Sequence, residues 1–118
     1  MPSNAFNINA SISCFPTGFT GDCSAVFSFL CEVNTDSTLA PGTTSSGGGG
    51  HDDNSDTLCS TRVKNDGNVT ATPSLQSCQT VLGLIILECP FGGFGKLSPT
   101  DPFTYALALG VSDVPPIP

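Results

Sequence analysis

Positive charge is almost missing from this chain. Arg62, Lys64 and Lys96 are its three fixed cations, against 10 Asp and Glu, for a net charge of −7. Nucleic-acid binding needs clustered Lys and Arg to displace counterions, so that class is excluded. Attachment to an anionic membrane surface fails for the same reason. Charge of either sign is scarce, at 11% of residues against about 25% in ordinary soluble domains. The polar surface must come mainly from Ser, Thr, Asn and Gly. Long apolar runs are absent too. The longest spans residues 81–87, far short of the roughly 20 residues of a membrane helix. No charged-then-apolar targeting segment precedes the first expected strand, so the chain reads as a mature form or one made without its leader. Met1 is awkward for a mature secreted chain and reads as an added residue.

Histidine is nearly absent as well. A nucleophile needs a base beside it, and His51 is the one histidine, set in a glycine-rich segment. That is a poor place to hold a catalytic geometry. A carboxylate pair for glycoside hydrolysis would have to come from scattered residues such as Glu32 and Glu88, which read better as charges facing water. The cysteines lack the paired short spacing of a zinc site. Asp52, Asn54 and Asp56 alternate as calcium-loop ligands do. However, Thr57 stands where the turn glycine belongs and Val63 where the bidentate Glu belongs, so these three are a weak Ca²⁺ candidate beside a solvated acidic loop. No enzyme activity and no cofactor are expected.

Cysteine, by contrast, is abundant. Cys14, Cys23, Cys31, Cys59, Cys78 and Cys89 in 118 residues imply three disulfides and an oxidising, extracellular or cell-surface setting. Six cysteines allow 15 connectivities. Cys31 and Cys89 lie in the two most apolar segments and are read as bridging the core, with Cys59–Cys78 and Cys14–Cys23 as the other pairs.

Alternation supplies the secondary structure. Phe6, Ile8, Ala10, Ile12 and Cys14 alternate with Asn and Ser, one apolar and one polar face of a strand. Residues 24–33 are apolar on both faces, which suits a central strand. Residues 58–64 follow as a strand. Asn65-Asp66-Gly67-Asn68 is a hairpin signal, with residues 69–72 returning. Leu75, Cys78, Leu82, Ile85 and Cys89 recur at spacings of three and four, but residues 80–87 are dense in Val, Leu and Ile. A turn or short helical piece at 74–78 and a strand at 80–89 are preferred. Residues 90–99 look irregular, and 103–111 form a last, clearly alternating strand. Residues 34–57 look like a long Gly-rich loop, functional or mobile.

These six strands predict an all-β class, an immunoglobulin-like β-sandwich with three disulfides. Residues 1–13 are the N-terminal strand and 14–118 the disulfide-stabilised domain. Asn9-Ala10-Ser11 and Asn68-Val69-Thr70 make Asn9 and Asn68 candidate glycosylation sites.

An immunoglobulin-like sandwich wants about seven strands, one more than is found. With the terminal row Phe6, Ile8, Ala10 and Ile12, this resembles the subunits of fibres built by donor-strand exchange, such as chaperone–usher pilins and spore-coat-U-like pilus subunits. The resemblance implies that this row fills a groove in a neighbouring subunit. The chain would then be a structural subunit of an extracellular fibre, with itself as partner. The alternative is a monomeric secreted binding module, an effector, toxin or lectin-like domain, contacting its target, glycans included, through the 34–57 loop. A small hydrolase built on His51 ranks last.

Overall fold

The computed structural model describes residues 10–52 and 57–110, with side chains at all of these except 47–52 and 57. The protein is mostly β and carries three disulfides, as its sequence implies. Its strands are β1 (Ser11–Cys14), β2 (Thr44–Asp52), β3 (Thr57–Asn65), β4 (Gly92–Lys96) and β5 (Phe103–Leu109). They form one antiparallel sheet in the order β1-β4-β5-β3-β2. Where a sandwich would put a second sheet, two helices pack instead: α1 (Phe27–Asn34) and α2 (Leu75–Glu88).

Both helices fall in segments that read as strands. In α1, Val26, Phe27, Leu30, Cys31 and Asn34 point inward or partly inward. Their spacing of one and three is helical. An apolar residue on both faces of a strand fits a stripe on a helix equally well, and packing decides between them. In α2 the Ser74 hydroxyl accepts from the Ser77 N–H at 3.3 Å, capping the first turn. Cys78, Val81, Leu82 and Ile85 then bury one side. The three-and-four spacing of these residues outweighs the β-branched density of 80–87.

Glycine hides two strands. The expected 34–57 loop contains β2, paired with β3 from Thr44↔Lys64 to Asp52↔Thr57, with a register shift between Gly47 and Gly50. The 90–99 stretch contains β4, in which Gly92, Gly93 and Gly95 have no room for a Cβ while Phe94 and Lys96 carry side chains. Gly92 sits at φ +80°, and a Cβ there would lie 2.3 Å from the Leu107 carbonyl oxygen, so it tolerates only glycine. The expected strand at 69–72 is reduced to a single bridge, Leu39↔Ala71. The turn before it is held by buried Asn65, whose amide donates to the Leu39 and Val69 carbonyls at 2.9 Å and accepts from the Gly67 N–H.

Alternation on the sheet divides its two faces. Cys59, Val63, Phe103, Tyr105, Leu107 and Leu109 meet the helices in one core with Leu30, Val81, Leu82 and Ile85. Burial raises the Tyr105 phenol well above its ordinary pKa, and the nearby Asp101 charge acts in the same direction, so this ring stays neutral.

The disulfides are Cys14–Cys89, Cys23–Cys59 and Cys31–Cys78. None matches the expected pairing. With residues 27–34 and 75–88 as neighbouring helices, Cys31 and Cys78 face each other across them. Cys89 then reaches β1, and Cys23 reaches β3. The N-terminal row also differs from its expectation. Ile12 packs against this chain's own core, and Ser11 to Cys14 pair with β4 of the same chain, Ser11↔Lys96 through Cys14↔Gly93. Ala10 precedes the strand, while Phe6 and Ile8 lie outside the described residues.

Two measurements check this packing. Replacing Cys31 and Cys78 together by alanine opens a bridge of sequence separation 47 and is expected to cost about 4 kcal/mol in denaturant unfolding. Gly83 sits inside α2, and a Cβ added there would meet nothing within 4 Å. Gly83→Ala should therefore stabilise the fold by about 0.5–1 kcal/mol, and a loss of stability there would contradict the helix.

Candidate functional site

The face of the sheet away from the helices is lined with charged and hydroxyl-bearing residues. Register places Ser11 beside Lys96 and Thr104 beside Lys64, which pairs in turn with Thr44. The next row runs Ser13, Phe94, Ala106, Arg62, Ser46. Strand alternation requires these residues to share a face. All three Lys and Arg of a chain with net charge −7 therefore stand on one side of one sheet.

Asp66, just beyond the end of β3, ties the first row together. Its carboxylate lies 3.1 Å from the Lys96 ammonium and 3.6 Å from that of Lys64, and accepts from the Thr104 hydroxyl. Lys96 also donates to the Asp101 carbonyl at 3.2 Å. In the second row the Arg62 Nε donates to the Ser46 hydroxyl at 3.3 Å. Partial burial pushes the Asp66 pKa up. The bonds from Thr104 and Lys96 and the charges of Lys96 and Lys64 outweigh that, and the net shift is downward. Asp66 is an anion that orders two cations.

Beside this network is an aromatic wall. Phe94 packs on Ala106 and Ala108 together with Phe15, the two ring centroids 5.9 Å apart. A cavity of about 230 Å³ opens there, lined by Ser11, Ser13, Asp66, Phe94, Lys96 and Thr104. It is shallow beside the roughly 300–1,000 Å³ of drug-sized sites. It offers hydroxyls, an ammonium donor, one carboxylate acceptor and the edge of an apolar ring.

The residues singled out from sequence fall elsewhere. The side chains of His51, Asp52, Asn54 and Asp56 lie outside the described residues. Among the described residues no three His, Cys, Asp or Glu side chains come together as metal ligands. Glu32 and Glu88 are exposed on separate helices. Asn68 is exposed beside the 66–69 turn, and Asn9 is outside the described residues. The expected contact loop at 34–57 contains β2 over Thr44–Asp52, and this strand lends Thr44 and Ser46 to the polar face. Sequence reasoning does not find Phe94, Lys96, Thr104 and Asp66. The available signals were Arg62 and Lys64 two apart in an expected strand, and the small-residue phase of 103–109.

A family model described as Glycan binding domain Y3 matches residues 22–111. This chain is a member of the Y3 glycan-binding-domain family. A search of curated proteins finds no match. Membership in Y3 overturns the fibre-subunit reading. The Y3 match supports glycans as partners and gives no support to a homopolymer. It agrees instead with the alternative of a binding module. A glycan-binding domain with three disulfides also fits an extracellular or secreted protein.

The Asp66 network has a signature in pH. Its lowered pKa means that the stabilisation is complete above the unfolded value near 3.9 and is lost as pH falls through the folded value. Asp66→Asn should lower stability at pH 7 by up to about 1 kcal/mol, the range of a partly exposed ion pair. The gap from the wild type should close on acidification below about pH 4. Urea unfolding at pH 7 and pH 3 measures it, and a gap of equal size at both would contradict the network.

Proposed function

We propose that this protein is a secreted, non-catalytic glycan-binding module and that the polar face of its sheet is the binding surface. The supporting observation is the convergence of Phe94 with Lys96, Asp66, Thr104, Ser11 and Ser13 around one shallow cavity. A pyranose has an apolar C–H face and a rim of hydroxyls. Phe94 offers a ring to the first. Lys96 and Asp66 offer a charged donor and a charged acceptor to the second, and such hydrogen bonds are about twice as strong as neutral ones. The Asp66 bridge keeps both groups in place before a ligand arrives, so less ordering is needed on binding. Low overall charge and a hydroxyl-rich surface agree with this role.

A printed array of defined glycans, probed with the wild type, tests it. Phe94→Ala and Lys96→Ala should each weaken binding to the best array glycan by roughly tenfold, about 1.4 kcal/mol. Thermal unfolding of each variant checks that it folds. Binding unchanged in both variants would move the site off this face. Failure of the wild type to bind any glycan would remove the reading itself.

A further inference from the structure

A second cavity adjoins the first. Its volume is about 310 Å³, and Phe15, Phe19, Phe91, Ala108 and Leu109 line it. Phe94 of the first lining packs against Phe15 of the second, ring centroids 5.9 Å apart, and Ala108 belongs to the patch beneath both rings. Their chemistry differs. The first is edged by Lys96, Asp66 and hydroxyls. The second has no charged side chain in its lining and three phenylalanine rings.

Phe19 is the residue that needs explaining. It is 62% exposed, although a buried phenylalanine would be worth roughly 1.5–3 kcal/mol. Two glycines set its place. Gly110 has φ +73°, and a Cβ there would lie 2.6 Å from the Cβ of Phe19 and 2.7 Å from its ring. Gly18, at φ +147°, lies against Phe91, where an added Cβ would come 3.4 Å from the Phe91 Cβ. The backbone is thus shaped to hold an aromatic side chain at the surface next to the polar cavity.

We propose that the two cavities are adjoining subsites, and that the ligand is an oligosaccharide of at least two sugar residues crossing the Phe15–Phe94 pair. This rests on the glycan-binding reading above. One sugar places its hydroxyls among Lys96, Asp66 and Thr104. Its neighbour lays an apolar face against Phe19 and Phe91. A single sugar fills only one half of the surface.

The test compares the best-bound array oligosaccharide with each of its component monosaccharides, using calorimetry and ligand-observed NMR on the whole protein. The oligosaccharide should bind at least about tenfold more tightly than any monosaccharide. Phe19→Ala should remove roughly three- to tenfold of that advantage, the size of one aromatic contact, and leave unchanged the binding of the monosaccharide seated among Lys96, Asp66 and Thr104. Phe19→Leu, which keeps apolar bulk and loses the ring, should give the same split and covers a failure of the alanine variant to fold. Phe94→Ala should weaken both ligands. Equal affinity for monosaccharide and oligosaccharide would overturn the two-subsite proposal and leave the binding reading standing. A Phe19→Ala effect shared equally by both ligands, or absent from both, would also overturn it. If no glycan of any length binds, the underlying reading fails with it.

Discussion

The antiparallel pairing of β5 between β4 and β3 is the constraint on which the rest of this protein depends. Its two-residue period sends Phe103, Tyr105, Leu107 and Leu109 toward the helices and Thr104, Ala106 and Ala108 away from them. Every neighbouring residue must follow that division, because register carries the phase from strand to strand. Val63 and Cys59 are drawn inward. Arg62, Lys64 and Phe94 are left on the far side. The small size of Ala106 and Ala108 matters as much as the size of Tyr105 and Leu107. Two methyl groups in the middle of the far face leave a floor over which Phe94, Phe15 and the cationic side chains can rise.

The inner face is closed by helices and covalent bonds. Cys31–Cys78 joins the helices, Cys23–Cys59 joins the approach to α1 to the sheet, and Cys14–Cys89 joins β1 to the end of α2. With the helical layer fixed in this way, the outer face is free to carry groups that add little to stability. Three cations, an ordered carboxylate and an exposed phenylalanine are such groups. In an acidic chain Arg62, Lys64 and Lys96 gather on one face with Asp66 between two of them, and that face is where polar recognition has the most to work with.

How much of this was legible in the sequence depends on whether side chains announced the backbone. β5 and β3 were, because apolar and polar residues alternate along both. The helices were not, since residues 27–34 and 75–88 carry enough apolar residues to fit either period and only packing selects between them. β2 and β4 were invisible for the opposite reason: runs built on Gly47 to Gly50 and on Gly92, Gly93 and Gly95 pair through backbone alone and show no alternation. The disulfide error followed from the helices, because cysteines assigned to strands were assigned to the wrong layer. As for the site, Arg62 and Lys64 stand two apart in a strand that was recognised. Lys96 and Phe94 reach them only through the β4–β5 and β5–β3 register, which joins segments some 30 residues apart. No local pattern encodes that.

The central claim is that glycans meet the face opposite the helices. Two-dimensional NMR of the labelled protein, titrated with its best array glycan, tests it most directly. The account predicts that the methyl resonances of Ala106 and Ala108 and the amides of Phe94, Gly95 and Lys96 shift together and saturably, with those of Leu30, Val81 and Ile85 unmoved. Shifts confined to α1 and α2, with Ala106 and Ala108 silent, would contradict it.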